Sequence, residues 1–371
     1  MIMNSAIKPE RKPGRLSDPE PTSIPGARNS RSVFSRIIRR APKTILWTLG
    51  FLILAGCYSN PPHRGDSYLN TEHWHRYQRF LPESMRFTAE NLPREEYWQW
   101  NGHKVHLDRY GEDSSACKVI LLHGGGGNGR ILGPVAVLVY ELGCTVVAPD
   151  MPGYGLTVPN PETELNYGLW VELTSHLMDK ERRPGQRLYV FGLSIGGMLA
   201  YQAVAMNGQA DGLIATTFAD VRRTDVRDAV SANLFLSRVG VPLGSLFRWF
   251  TDGVYLPIAS LSKMELITND PAFSEVFATD PHAGGGWVSL LFLRTFMNYA
   301  PALEPEEFRV CPVLMIHPGL DPWTPLEMSK EFYDRIPEKK RLVVLQGAGH
   351  LPYEEPGRTQ MVRALKEFLG N

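Results

Sequence analysis

The sequence predicts an α/β protein built on a mostly parallel, doubly wound sheet. Six short, continuous apolar runs carry that expectation: 118–122 (KVILL), 145–148 (TVVA), 188–191 (LYVF), 212–216 (GLIAT), 313–316 (VLMI) and 341–345 (RLVVL). Runs of this length and make-up suit strands buried on both faces. Helical stretches are expected among and after them, near 129–142, 165–182, 195–207, 325–336 and 357–369. Strands alternating with helices pack as parallel neighbours joined by right-handed crossovers. Composition agrees: 43% of the 371 residues are hydrophobic and 21% charged, with 8 Trp, 14 Tyr and 16 Phe, which excludes a disordered, collagen-like or coiled-coil chain.

The remaining elements follow in order. Segments 97–100 and 104–109 read as strands joined at Asn101-Gly102, an Asn-Gly hairpin signal. Residues 57–92 are polar and aromatic without a sustained period and are read as a linker and N-terminal extension. They contain His73-Trp74-His75, but the two histidines point opposite ways if extended, and no third ligand is spaced near them for a metal. The α/β pattern occupies 93–220 and resumes over 303–371. From 221 to 302 no buried-strand run recurs, and stretches rich in large apolar residues (234–236, 246–250, 287–299) indicate a helical insertion lying over the sheet. Most of those aromatics would serve as the insertion's own core.

Lys plus Arg equals Asp plus Glu at 39 each, which gives no reason to expect a nucleic-acid partner. The balance hides an asymmetry. Residues 1–43 hold ten basic against three acidic groups, with six Pro and six Ser, a composition expected to stay disordered. Residues 44–56 (TILWTLGFLILAG) are uncharged and mostly apolar, shorter than the roughly 20 residues a spanning helix needs. A basic stretch followed by such a run is the pattern of a secretory signal peptide, so 1–56 is read as a basic segment plus signal. Its end, Leu54-Ala55-Gly56-Cys57, resembles the lipobox of bacterial lipoproteins. That resemblance implies acylation of Cys57 and attachment to a cell-envelope membrane. An uncleaved signal anchor is the alternative, and the long basic region leaves room for a later translation start near Val33. Arg39-Arg40 is followed by Ala41-Pro42, a poor fit to a twin-arginine signal. Cys117, Cys144 and Cys311 lie at or beside expected buried strands and are read as small hydrophobes. No C-x-x-C pair occurs, and no metal or other cofactor is expected.

Gly192-Leu193-Ser194-Ile195-Gly196 lies between a strand and a helix, the setting in which G-x-S-x-G presents a nucleophilic serine above a sheet. His123-Gly124-Gly125-Gly126-Gly127 follows the run KVILL. A phosphate cradle there lacks the Gly-Lys-Ser/Thr continuation. The better reading is an oxyanion hole made by N–H groups near Gly125 and at Ile195, with His123, Gly124 and Gly126 supporting the loop. Taken together these residues resemble the α/β-hydrolase fold family, whose serine members order their triad as Ser, then acid, then His. The resemblance covers about 90–371 and implies an eight-stranded sheet with a helical cap. It also implies Asp321, in the turn after VLMI, as the acid and His350, after RLVVL, as the base; Asp220 is the alternative acid. Asp150-Met151-Pro152-Gly153-Tyr154-Gly155 resembles the family's D-x-P-G-x-G loop and is read as structural.

These features imply a serine hydrolase for carboxylic esters, acting through an acyl-enzyme on a small-molecule ester with an apolar acyl chain, in the manner of esterases, lysophospholipases or monoacylglycerol lipases. Peptidase, thioesterase and carbon–carbon bond hydrolase activities stand as alternatives on the same fold. A ligand-binding envelope lipoprotein without catalysis is the reading from a different class.

Overall fold

A computed structural model describes residues 65–112, 114–240, 246 and 248–370; the expectations for 1–56 and Cys57 lie outside the described residues. Among the described residues no helix is long and apolar enough to cross a membrane. The strands in chain order are β1 (Arg94–Trp100), β2 (His103–Tyr110), β3 (Cys117–Leu122), β4 (Thr145–Pro149), β5 (Arg187–Gly192), β6 (Gly212–Ala215), β7 (Tyr255–Pro257), β8 (Trp287–Ser289), β9 (Val313–Pro318) and β10 (Lys340–Leu345). Eight of them form one sheet in the order β1-β2-β4-β3-β5-β6-β9-β10. From β4 to β10 every pairing is parallel, whereas β1 and β2 are antiparallel to their neighbours. Asn101 (φ 46°) and Gly102 (φ 78°) both turn left-handed between β1 and β2, which is what an Asn-Gly hairpin supplies.

The helices are α1 (Glu72–Tyr77), α2 (Gly133–Glu141), α3 (Tyr167–Glu181), α4 (Ile195–Asn207), α5 (Thr224–Val230), α6 (Arg248–Thr251), α7 (Ile258–Leu261), α8 (Pro271–Thr279), α9 (Leu290–Met297), α10 (Leu326–Arg335) and α11 (Gly357–Leu369). Asn166 opens α3 by accepting the Leu169 N–H at 3.0 Å, and Asp270 caps α8 ahead of Pro271. Region 221–302 carries α5 to α9 and also β7 and β8, which pair antiparallel. Strands of three residues leave no periodic trace, so this ribbon was not expected.

Three departures from the sequence reading stand out. From residue 65 onward the expected linker packs into the core: Tyr68, Trp74, Tyr77, Leu81 and Met85 are buried, and the Tyr77 hydroxyl donates to Asp280 at 2.9 Å. Its helices run for three to six residues, too short to show a period. The run KVILL conceals a buried charge: Lys118 in β3 meets Glu181 of α3 at 2.8 Å, and Arg109 of β2 grips the same carboxylate at 2.6 and 3.0 Å. Burial would raise Glu181, but the hydrogen bonds from Arg109 and Lys118 and their charges bring it down to about 2. Finally, Cys117 and Cys144 form a disulfide with Cα atoms 4.7 Å apart, so they are not separate small hydrophobes. Lys118 is opposite Thr145 in the β3–β4 register, which makes the preceding residues neighbours. That adjacency exists only once the pairing is known. Cys311 is a buried thiol, pushed by burial up to about 12.

Candidate active site

The β5–α4 connection is only two residues long, Leu193 and Ser194. Ser194 sits there at φ 57° and ψ −128°, a left-handed geometry that a non-glycine residue adopts only under constraint. The flanking glycines are steric requirements: a Cβ at Gly192 would land on the Gly196 carbonyl, and one at Gly196 on the Leu122 carbonyl. The Ser194 N–H donates to Thr216 Oγ1 at 2.9 Å, and His317 Nδ1 donates to the Thr216 carbonyl at 3.1 Å. Burial lowers the His317 pKa, so it serves as a neutral brace.

The glycine loop after β3 runs against this turn, close enough that a Cβ on Gly124 would stand 2.9 Å from the Ser194 Cβ. His123 is fully buried; Nδ1 donates to Gly124 O at 2.8 Å and Nε2 accepts the Met151 N–H at 3.0 Å, which fixes its tautomer. The Gly127 N–H donates to the same carbonyl at 3.1 Å, with Gly126 at φ 71° making the bend. In a trans peptide the carbonyl and the following N–H point opposite ways, so anchoring Gly124 O directs the Gly125 N–H away from His123. Gly125 and Ile195 line one cleft with Ser194. Among the described residues neither of their N–H groups donates a hydrogen bond.

Parallel pairing of β9 and β10 brings their C-terminal turns together: Gly319 N–H donates to Leu345 O at 2.8 Å and Leu320 N–H to Ala348 O at 2.9 Å. Asp321 and His350 meet there, Nδ1 to Oδ2, at 2.8 Å. Asp321 also accepts from the N–H groups of Trp323 (2.9 Å) and Thr324 (3.0 Å) and from the Thr324 hydroxyl (2.5 Å). Burial would raise its carboxyl, but His350 and these bonds bring it down to about 2. The Trp323 ring lies against the imidazole, centroids 4.8 Å apart. Asp220 is instead clamped by Arg222, with two bonds of 2.8 Å.

His350 Nε2 is buried without a hydrogen-bond partner, and it shares a small cavity with Ser194 walled by His123, Gly124 and Leu351 and by Ile267 and Phe277 of the insertion. Beside it opens a larger cleft of about 880 Å³, including its mouth, between the core and the insertion. Ile258, Leu261, Val288, Phe292, Phe296 and Met297 make its wall apolar. Thr216, Trp323 and Thr324 were not singled out in the sequence; the D-x-x-T spacing 321–324 is the signal that could have found Thr324.

Behind the glycine loop Asp150 is fully buried. Its Oδ1 accepts the Gly129 N–H (2.6 Å), and Oδ2 accepts the Leu156 N–H (2.8 Å) and the Tyr68 hydroxyl (2.7 Å), with His106 Nδ1 3.1 Å away. Burial opposes ionisation, but His106 and the bonds prevail and hold the carboxyl down at about 2. Glu95, His106 and Asp108 offer ligand atoms within 4.8 Å of one another. Arg130 already takes Asp108 at 2.6 and 2.8 Å and Glu95 at 2.7 Å, so these carboxylates neutralise a guanidinium rather than form a vacant ligand set.

The fold recurs in solved structures. A monoacylglycerol lipase from Paleococcus ferrophilus is 21% identical, with a TM-score of 0.57 over 71% of this chain and 99% of its own. A soluble variant of monoglyceride lipase from Saccharomyces cerevisiae, in complex with a substrate analog, is 17% identical, with a TM-score of 0.61 over 76% and 96%. An esterase from M. tuberculosis is 17% identical, with a TM-score of 0.53 over 81% and 100%. At such identities the likeness is one of fold. No protein of curated function matches the chain. The sequence pattern of the alpha/beta hydrolase family, however, matches residues 119–360, a span holding the glycine loop, the serine turn and both C-terminal turns, and the chain belongs to that family.

Proposed function

We propose that the protein is a serine hydrolase cleaving carboxylic esters with an apolar acyl part, Ser194 being the nucleophile, His350 the base and Asp321 its orienting acid. The observation that carries the reading is that the strained Ser194 and the unpartnered Nε2 of a carboxylate-held imidazole share one cavity. With Nδ1–H committed to Asp321, Nε2 is the basic nitrogen. The Ser194 hydroxyl transfers its proton to Nε2 as Oγ bonds to the ester carbonyl carbon, and the N–H groups of Gly125 and Ile195 receive the oxyanion. His350 then protonates the departing alkoxide, and a water molecule, deprotonated by the same nitrogen, releases the acid. The apolar cleft supports an acyl chain rather than a peptide. A fluorophosphonate probe and p-nitrophenyl esters of increasing chain length test this. Labelling that disappears in Ser194→Ala, with hydrolysis peaking at one acyl length, is expected; labelling accompanied only by peptide turnover rejects the ester reading.

We also propose export and acylation at Cys57. The basic and apolar flanks support it, as does the Cys117–Cys144 bridge, since disulfides persist in oxidising compartments. Radiolabelled palmitate incorporation is expected in the wild type and lost in Cys57→Ser; incorporation that survives rejects acylation there.

A further inference from the structure

The cleft beside Ser194 is apolar except for a few hydroxyls and one charged side chain among its described lining residues, Arg227 of α5. Its Nε is buried without a hydrogen-bond partner, and Nη2 reaches Thr224 Oγ1 only at 3.4 Å. The carboxylates of the same segment are already taken: Asp220 by Arg222, Asp225 by Arg223 and Asp228 by Arg238. Among the described residues no carboxylate forms an ion pair with Arg227, although its charge acts on Asp228, so a half-buried cation borders a mostly apolar cleft with one donor unsatisfied. A buried N–H left without an acceptor is destabilising, more so when charged, and an anion brought into such low-polarity surroundings is attracted more strongly than in water.

Resting on the ester-hydrolase reading of the same cleft, we propose that Arg227 is a specificity subsite for an anionic oxygen group, a carboxylate or a phosphate, borne by the ester substrate away from its scissile bond. The guanidinium's planar pair of N–H donors matches either group. A neutral ester of equal length forgoes this contact, and a cationic one is repelled.

The test separates recognition from catalysis. Ser194→Ala protein is titrated calorimetrically with monomethyl suberate, dimethyl suberate and octyl phosphate at low salt. Monomethyl suberate or octyl phosphate is expected to bind at least tenfold more tightly than the diester, and the stronger of the two identifies the anion. Arg227→Gln in that background should erase the preference and Arg227→Lys retain part of it, each checked for an unchanged circular dichroism spectrum. Equal affinities, binding of none of the three, or a preference surviving Arg227→Gln overturns the proposal. Turnover of p-nitrophenyl octanoate and of the anionic mono-p-nitrophenyl suberate by the wild type reads the other question, hydrolysis meaning turnover of either. Hydrolysis without anion preference refutes the subsite alone; preference without hydrolysis refutes the ester-hydrolase reading alone.

Discussion

The ring of His123 holds the carbonyl of the very next residue, Gly124, at 2.8 Å, while its other nitrogen holds the Met151 N–H at 3.0 Å. One side chain thereby sets the direction of the Gly125 N–H, the proposed oxyanion donor. His123→Ala is expected to lower kcat for p-nitrophenyl esters by about 100-fold with little change in KM, the scale of a lost oxyanion donor. His123→Asn places an amide N–H near the position of Nδ1 and should recover a large part of the loss. Steady-state kinetics on protein shown to be folded by circular dichroism would check both, and equal kcat in the two variants would contradict the aiming role.

Thr324 gives a graded test of the acid turn. Its hydroxyl donates to the same Asp321 oxygen that holds His350, at 2.5 Å, and lies 3.4 Å from His350 Nδ1. Thr324→Val removes one of four bonds that keep this carboxylate ionised and placed, and kcat should fall by about tenfold. Asp321→Asn costs the tautomer itself and should lower kcat by about 10⁴-fold. Thr324→Ser should stay near wild type. The ranking of the three kcat values is the measurement.

Strands β3 to β6, β9 and β10 and the helices from α2 onward outside 221–302 were legible because each of those strands is a short apolar run and each helix follows a turn signal, whereas the polar-rich β1 and β2 were legible through Asn101-Gly102; α4 was expected at 195–207 and spans Ile195–Asn207. The proposed trio Ser194, Asp321 and His350 could be put forward because each follows a recognisable strand. What stayed hidden depends on contacts remote in sequence. Lys118 is one polar letter at the start of an apolar run, and only α3 packing over β3 supplies Glu181 to receive it. Tyr68 reads as an ordinary aromatic until its hydroxyl, 82 residues away in sequence, is found on Asp150. Arg227 likewise looks like a solvated helix charge until the neighbouring carboxylates are seen to be taken by other arginines.

Asp150 makes acid stability testable. Its folded pKa, about 2, lies below the unfolded value of about 3.9. A depressed carboxyl contributes stability that is complete above the unfolded value and disappears as pH falls through the folded one. The contribution at neutral pH is about 2–3 kcal/mol. Asp150→Asn should therefore lower the urea midpoint at pH 7, because an amide cannot accept from both Leu156 N–H and Gly129 N–H as a carboxylate does. The wild-type minus variant difference should hold steady down to about pH 4 and shrink toward pH 2. A difference independent of pH would mean that Asp150 acts through shape alone.

The Cys117–Cys144 bridge closes a loop with a sequence separation of 27, spanning the glycine loop and α2. Chain-entropy arguments put the stabilisation from a loop of that size at about 3.5 kcal/mol. The double variant Cys117→Ser/Cys144→Ser should lose about that much in urea unfolding, and dithiothreitol should destabilise the wild type but not the variant. Cys311→Ala gives the contrast: its thiol is buried and unbonded, so reductant should leave its effect unchanged. The bridge anchors the start of β3, whose far end delivers His123 and the glycine loop. Loss of the proposed esterase activity in the variant should therefore track the fraction unfolded rather than precede it, since β3 is paired along its length with β5 and keeps its register without the sulfurs.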